Sequence, residues 1–77
     1  MTADSPERPP VRRVVRGLLA DYGTEFGVST PLLVAMTHAE TDADPRQIRA
    51  TLERMERHGA IYDAGGDDAH AWKVTRA

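Results

Sequence analysis

Arginine and glutamine side chains are concentrated between positions 46 and 57, at spacings that suit one side of a helix. An arginine guanidinium can donate two hydrogen bonds to one guanine, and a glutamine amide can pair with adenine in a similar bidentate way. The small Ala50 among them would let such a helix approach a base edge closely. The segment is therefore a candidate surface for contact with the major groove of double-stranded DNA. The candidate contact residues are Arg46, Gln47, Arg49, Ala50, Arg54, Arg57 and Lys73.

The same pattern also suits an ordinary solvated helix. At about 100° per residue, Ile48, Leu52 and Met55 form an apolar stripe, and the charged residues fall around the rest of the surface. Glu53 and Arg57 stand four residues apart, which is the spacing of a stabilising surface pair. Contact with DNA and a purely solvated face both remain open from the residues alone.

Other chemistry has little support in the sequence. The absence of cysteine excludes a disulfide framework, a thiolate zinc site and a cysteine nucleophile. The spacing of His38, His58 and His70 fits no metal-ligand motif. There is no recognisable Ser-His-Asp set, glycine-rich phosphate loop or pair of catalytic carboxylates. We therefore expect no enzymatic activity, no metal and no cofactor.

Charge is segregated along the chain, although the net charge is only −2. Residues 11–23 sum to +2, residues 24–44 to −4, and residues 45–59 to +2. The first basic segment holds Arg12, Arg13 and Arg16, whose roles stay open: contact with phosphates beside the groove, contact with the acidic loop 40–44 of a neighbouring molecule, or plain solvation.

A chain of 77 residues corresponds to one small domain. The polar, proline-rich residues 1–10 predict a flexible lead, followed by the domain over 11–77. Apolar periodicity predicts a first helix over about 10–22 that stops at Gly23, with Val11, Val14, Val15, Leu18, Leu19 and Tyr22 on its inner face.

Two cap-plus-proline signals predict two more helices. Thr30-Pro31 starts a helix over about 31–39, with Leu32, Leu33, Met36 and Ala39 available to the core. Asp44-Pro45 starts a helix over about 45–58 that ends at Gly59.

The tail changes to a period of two, which predicts a β-hairpin that pairs about 60–63 with 70–75. Trp72 should be buried and Tyr62 should face away from the core, while residues 26–29 should add one or two sheet pairings. Three helices and a C-terminal hairpin make an α+β fold, the winged helix-turn-helix.

The exit of the third helix carries a family resemblance. Residues 49–62 begin with an amphipathic helical pattern that ends at Gly59. One residue then precedes the pair Ile61-Tyr62. Together with residues 70–74 on the second strand, this segment most resembles the C-terminal winged-helix domain of archaeal minichromosome maintenance (MCM) helicases. The resemblance implies a winged-helix fold and a role in transcription regulation or replication, with DNA as the partner.

The predicted wing tip, Gly65-Gly66-Asp67-Asp68, is acidic and would repel phosphates. We therefore expect modest, salt-sensitive DNA affinity, and the alternative is a protein–protein interaction module without significant DNA binding. A homodimer is a further possibility, with a seam of Val14, Leu19 and Val34. No segment suggests a signal peptide or a membrane span, so the expected location is the cytoplasm.

Overall fold

Three helices precede an antiparallel pair of strands in the computed structural model, which describes residues 9–65 and 70–75. The elements are α1 (Val11–Tyr22), α2 (Thr30–Thr41), α3 (Pro45–Arg57), β1 (Ile61–Asp63) and β2 (Trp72–Val74). This order confirms the predicted α+β fold and is that of a winged helix-turn-helix. The predicted flexible lead lies almost wholly outside the described residues, as do Gly66, Asp67 and Asp68 of the predicted wing tip.

The start of α3 is as predicted, whereas the start of α2 is not. The Asp44 carboxylate accepts a hydrogen bond of 2.8 Å from the Arg46 amide, and Pro45 occupies the first turn of α3. In α2 the cap position belongs to Ser29, which makes no side-chain capping bond. Thr30, predicted as the cap, is already helical, and its hydroxyl accepts a hydrogen bond from the indole of Trp72 instead.

Glycine ends two of the helices for different reasons. Gly59 has a φ of +80°, the left-handed conformation expected after a helix, and the next amide, of Ala60, donates to the carbonyl of Met55. Gly23 has a φ of −101°, so its backbone needs no glycine. A Cβ there would lie 2.9 Å from the Leu19 carbonyl oxygen and 3.2 Å from that of Trp72. Any side chain at this position would therefore crowd both the last turn of α1 and β2.

The core confirms the predicted inner faces of α1 and α3, except that Val11 is only half-buried and Tyr22 is exposed. The prediction for α2 is wrong in phase: Leu32 and Ala39 are exposed and Met36 is only half-buried. Five consecutive apolar residues, 32–36, give α2 no polar face of its own, so contact with α1 and α3 decides which side turns inward. The buried residues of α2 are Leu33, Val34, Thr37 and Thr41.

The predicted dimer seam is also contradicted at the level of its residues. Val14, Leu19 and Val34 were expected to be surplus apolar residues, but all three are buried in the core of the single chain. They therefore expose too little surface to form the core of a subunit interface.

The hairpin pairs Ile61 with Val74 and Asp63 with Trp72. Val28, in the connection between α1 and α2, forms an isolated bridge with Trp72 through hydrogen bonds of 3.0 and 2.9 Å, which confirms the short pairing predicted for residues 26–29. Trp72 is buried and Tyr62 is exposed, as predicted. Among the described residues, none of the helices has the length and apolarity that crossing a bilayer requires.

Candidate nucleic-acid interface

The outer side of α3 presents all six of its predicted contact residues to solvent. Burial of Ile48, Leu52 and Met55 fixes the rotation of the helix about its axis. The remaining surface divides into an outermost crest and two flanks, one toward α1 and one toward the hairpin. The crest carries Arg46, Ala50 and Arg57; Gln47 and Arg54 lie on the α1 flank, and Arg49 lies on the hairpin flank.

The arginines of α3 are not engaged with acidic side chains. Within the described part of the chain, no ion pair involves any arginine of α1 or α3. The pair expected of a purely solvated face, between Glu53 and Arg57, is not formed. The guanidinium groups on the crest therefore keep their hydrogen-bond donors for a ligand.

The α1 flank of α3 forms a basic cleft with the first turns of α1. This α1–α3 cleft has a volume of about 400 Å³. Arg13, which the sequence grouped with its neighbours, lies outside it and borders a groove with Asp21 and Glu40. The residues that line the α1–α3 cleft are Arg12, Arg16, Thr51, Arg54, Met55, His58 and Ala60.

The hairpin flank of α3 has the opposite charge. A cleft of about 260 Å³ between α3 and the hairpin, the α3–wing cleft, holds three carboxylates against one arginine and the imidazole of His70, which bonds to Asp63. The acidic side chains are Glu53, Glu56 and Asp63, and the arginine is Arg49. The acidic character predicted for the wing tip therefore extends to its base.

Asp63 organises the base of the wing. Its carboxylate accepts hydrogen bonds from the amides of Ala71 (3.0 Å) and Gly65 (2.9 Å) and also bonds to the imidazole of His70. The Ala71 amide, followed by His70 and the Gly65 amide, lowers the pKa of Asp63 to about 2. The His70 ring stacks on Trp72 with its centroid 5.9 Å away, so the network joins the loop to the core.

Sequence reasoning missed this role of Asp63. The available signal was an Asp two residues before a glycine, because Asp side chains commonly accept from the amide two residues later in a turn. Nothing in the spacing indicated that His70 would complete the same network.

Lys73 is not brought together with the α3 residues. It lies on β2 opposite Tyr62, and its neighbours on either side, Trp72 and Val74, point to the other face of the strand. Lys73 is half-buried and borders a separate cleft with Leu19 and Tyr62. A DNA contact by Lys73 would therefore be separate from those made by α3.

Comparison of the chain with known protein families, with curated proteins and with solved structures finds no match. The resemblance to the archaeal MCM C-terminal domain therefore remains a prediction, based on residues 49–62 and 70–74.

Proposed function

We propose that this winged-helix domain binds double-stranded DNA, with α3 as its recognition helix. The observation that carries the proposal is the exposed, unpaired set of basic side chains on the outer side of α3. The first turns of a recognition helix reach furthest into the major groove. Arg46, Gln47 and Arg49 occupy those turns, and Ala50 leaves room for close approach.

The later part of α3 suits the sugar-phosphate backbone. Arg54 and Arg57 lie in the last turn of the helix, where a positive charge is also favourable toward the helix dipole. In the proposed complex they contact phosphates while the first two turns contact base edges. The resemblance of the helix exit to archaeal MCM C-terminal domains supports a role as a small transcription regulator or a replication-linked module.

The charge distribution sets the expected strength of this interaction. The net charge of −2 and the acidic α3–wing cleft oppose a polyanion, so binding is modest. Because backbone contacts release condensed counterions, binding weakens steeply as salt rises.

The test is a fluorescence-anisotropy titration of a random duplex at several salt concentrations. Arg46→Gln with Arg49→Gln should weaken binding about 30-fold or more, since each bidentate base contact is worth about 1–3 kcal/mol. Arg13→Glu makes the same change in net charge outside the proposed interface and should leave the affinity close to that of the wild type. Equal losses in the two variants would overturn the proposal.

A protein–protein interaction module is the second candidate, and exposed apolar side chains favour it. Phe26 is 84% exposed, Tyr22 67% and Tyr62 47%, which is unusual for aromatic residues without a partner. This function predicts no salt-dependent duplex binding by the wild type. It also predicts that Phe26→Ala would weaken association with a partner and leave the fold intact.

A further inference from the structure

Four basic side chains converge on the α1–α3 cleft from two helices. Arg12 and Arg16 are four residues apart on α1, and Arg54 and His58 have the same spacing near the end of α3. Side chains at this spacing share one face of a helix, so each helix presents its pair to the same cleft. Like charges placed together are destabilising unless an anion lies among them.

The other described residues that line the cleft offer a ligand no free polar group, so the four basic side chains are its available hydrogen-bond donors. The Thr51 hydroxyl already donates to the Gln47 carbonyl at 2.9 Å, and Met55 and Ala60 contribute apolar surface. No carboxylate is among the described residues that line the cleft. Guanidinium groups are planar, permanently charged donors that match phosphate oxygens in a bidentate geometry, so the site suits a phosphate group.

The charge on the opposite flank of α3 indicates on which side of the helix a duplex would place its phosphates. The α3–wing cleft is acidic, so a duplex lying along α3 is repelled on the hairpin side and attracted on the α1 side. A polyanion in contact with the crest of α3 therefore passes over the α1–α3 cleft rather than over the base of the wing.

We propose that the α1–α3 cleft binds a backbone phosphate of the duplex and takes the place of the wing as the flanking phosphate contact. This inference rests on the proposed function of α3. Arg12 and Arg16 hold the phosphate from one side and Arg54 from the other, which fixes how the duplex lies on α3. Backbone contacts of this kind set position and orientation and carry no base preference.

The experiment compares the salt dependence of duplex binding by the wild type and by Arg12→Gln with Arg16→Gln. Loss of the contact that these two arginines make with the phosphate should reduce the slope of log K against log salt by up to about 0.9 in magnitude, the value for one neutralised phosphate. The affinity should fall by the same factor for duplexes of different sequence. Arg13→Glu, on the same helix and with the same change in net charge, is the matched control and should keep the wild-type slope.

A second variant on the other helix keeps the test independent of α1. Arg54→Gln should also reduce the slope, by less than about 0.9 because Arg54 contacts the same phosphate, and thermal melting followed by circular dichroism should show both variants folded. Wild-type slopes in both would overturn the cleft proposal, while a loss of binding in Arg46→Gln with Arg49→Gln would leave the function of α3 standing. If the wild type itself shows no salt-dependent binding, both proposals fail.

Discussion

The indole N–H of Trp72 donates a hydrogen bond of 2.8 Å to the hydroxyl of Thr30, a residue 42 positions earlier in the chain. This bond joins β2 to the first turn of α2. Trp72 also exchanges two backbone hydrogen bonds with Val28, just before that helix. A single residue, Trp72, thus attaches the wing to the helical part of the domain through both its backbone and its indole ring.

Replacement of Thr30 by valine should therefore destabilise the domain. The variant keeps the shape of the side chain but leaves the indole N–H without its acceptor, at a cost of about 1–3 kcal/mol. Urea unfolding followed by tryptophan fluorescence measures the difference. Thr24→Val, at an exposed position, is the control and should unfold like the wild type. Equal midpoints for the two variants would show that the bond contributes nothing to stability.

Leu52→Ala should cost about 2–5 kcal/mol, because it opens a cavity in a closely packed core. Leu52 is 2% exposed, whereas Leu32 on α2 is 52% exposed. The same substitution at Leu32 is the matched control and should change the melting temperature little. Wild-type-like melting of Leu52→Ala would mean that the rotation of α3 about its axis is wrong.

The rotation of α3 could be predicted from the sequence and that of α2 could not, for a physical reason. In α3, Ile48, Leu52 and Met55 are separated by charged residues, so only one side can be buried. In α2 the apolar residues 32–36 are consecutive, and either side could face inward. The capping of α3 by Asp44 was local and predictable.

The candidate site shows the same division. The exposed arginines of α3 followed from its pattern, but the separation of Arg13 from Arg12 and Arg16 depends on where α1 meets α3. The opposite charges of the two flanks arise from three separate segments of the chain. No spacing within any one segment contains that information.

The acid stability of the wing should depend on Asp63. Its pKa is lowered to about 2 from 3.8 by hydrogen bonds that exist only in the folded state. A group with a depressed folded pKa stabilises the fold above its unfolded pKa and loses that effect as the pH falls through the folded value. The stability difference between the wild type and Asp63→Asn should therefore be constant above about pH 5 and shrink toward pH 2.

Carbon-13 NMR titration of the Asp63 carboxyl group gives a direct check on that expectation. A midpoint near 2 is expected for the folded wild type. A midpoint near the ordinary value of 3.8 would show that, in the dissolved protein, the Ala71 and Gly65 amides and the His70 ring do not form hydrogen bonds with the carboxylate.

Reversal of charge at Asp67 and Asp68, the wing tip predicted from the sequence, should strengthen DNA binding. Asp67→Lys with Asp68→Lys removes two negative charges from a segment that follows the acidic base of the wing, and it adds two positive ones. The affinity for duplex should rise, most at low salt. Asp21→Lys with Glu40→Lys adds the same charge in the groove beside Arg13, whose described lining includes no residue of α3 or the hairpin. A similar rise in both variants would point to net charge alone.

The most direct test of the proposed function is the mapping of amide chemical shifts on addition of a short duplex. If α3 is the recognition helix, the largest changes should fall on Arg46, Gln47, Arg49 and Ala50, with smaller ones at Arg12 and Arg16. The amides of Phe26 and Tyr62 should not move. No shift on α3 at low salt, or shifts confined to Phe26 and Tyr62, would contradict DNA recognition by α3.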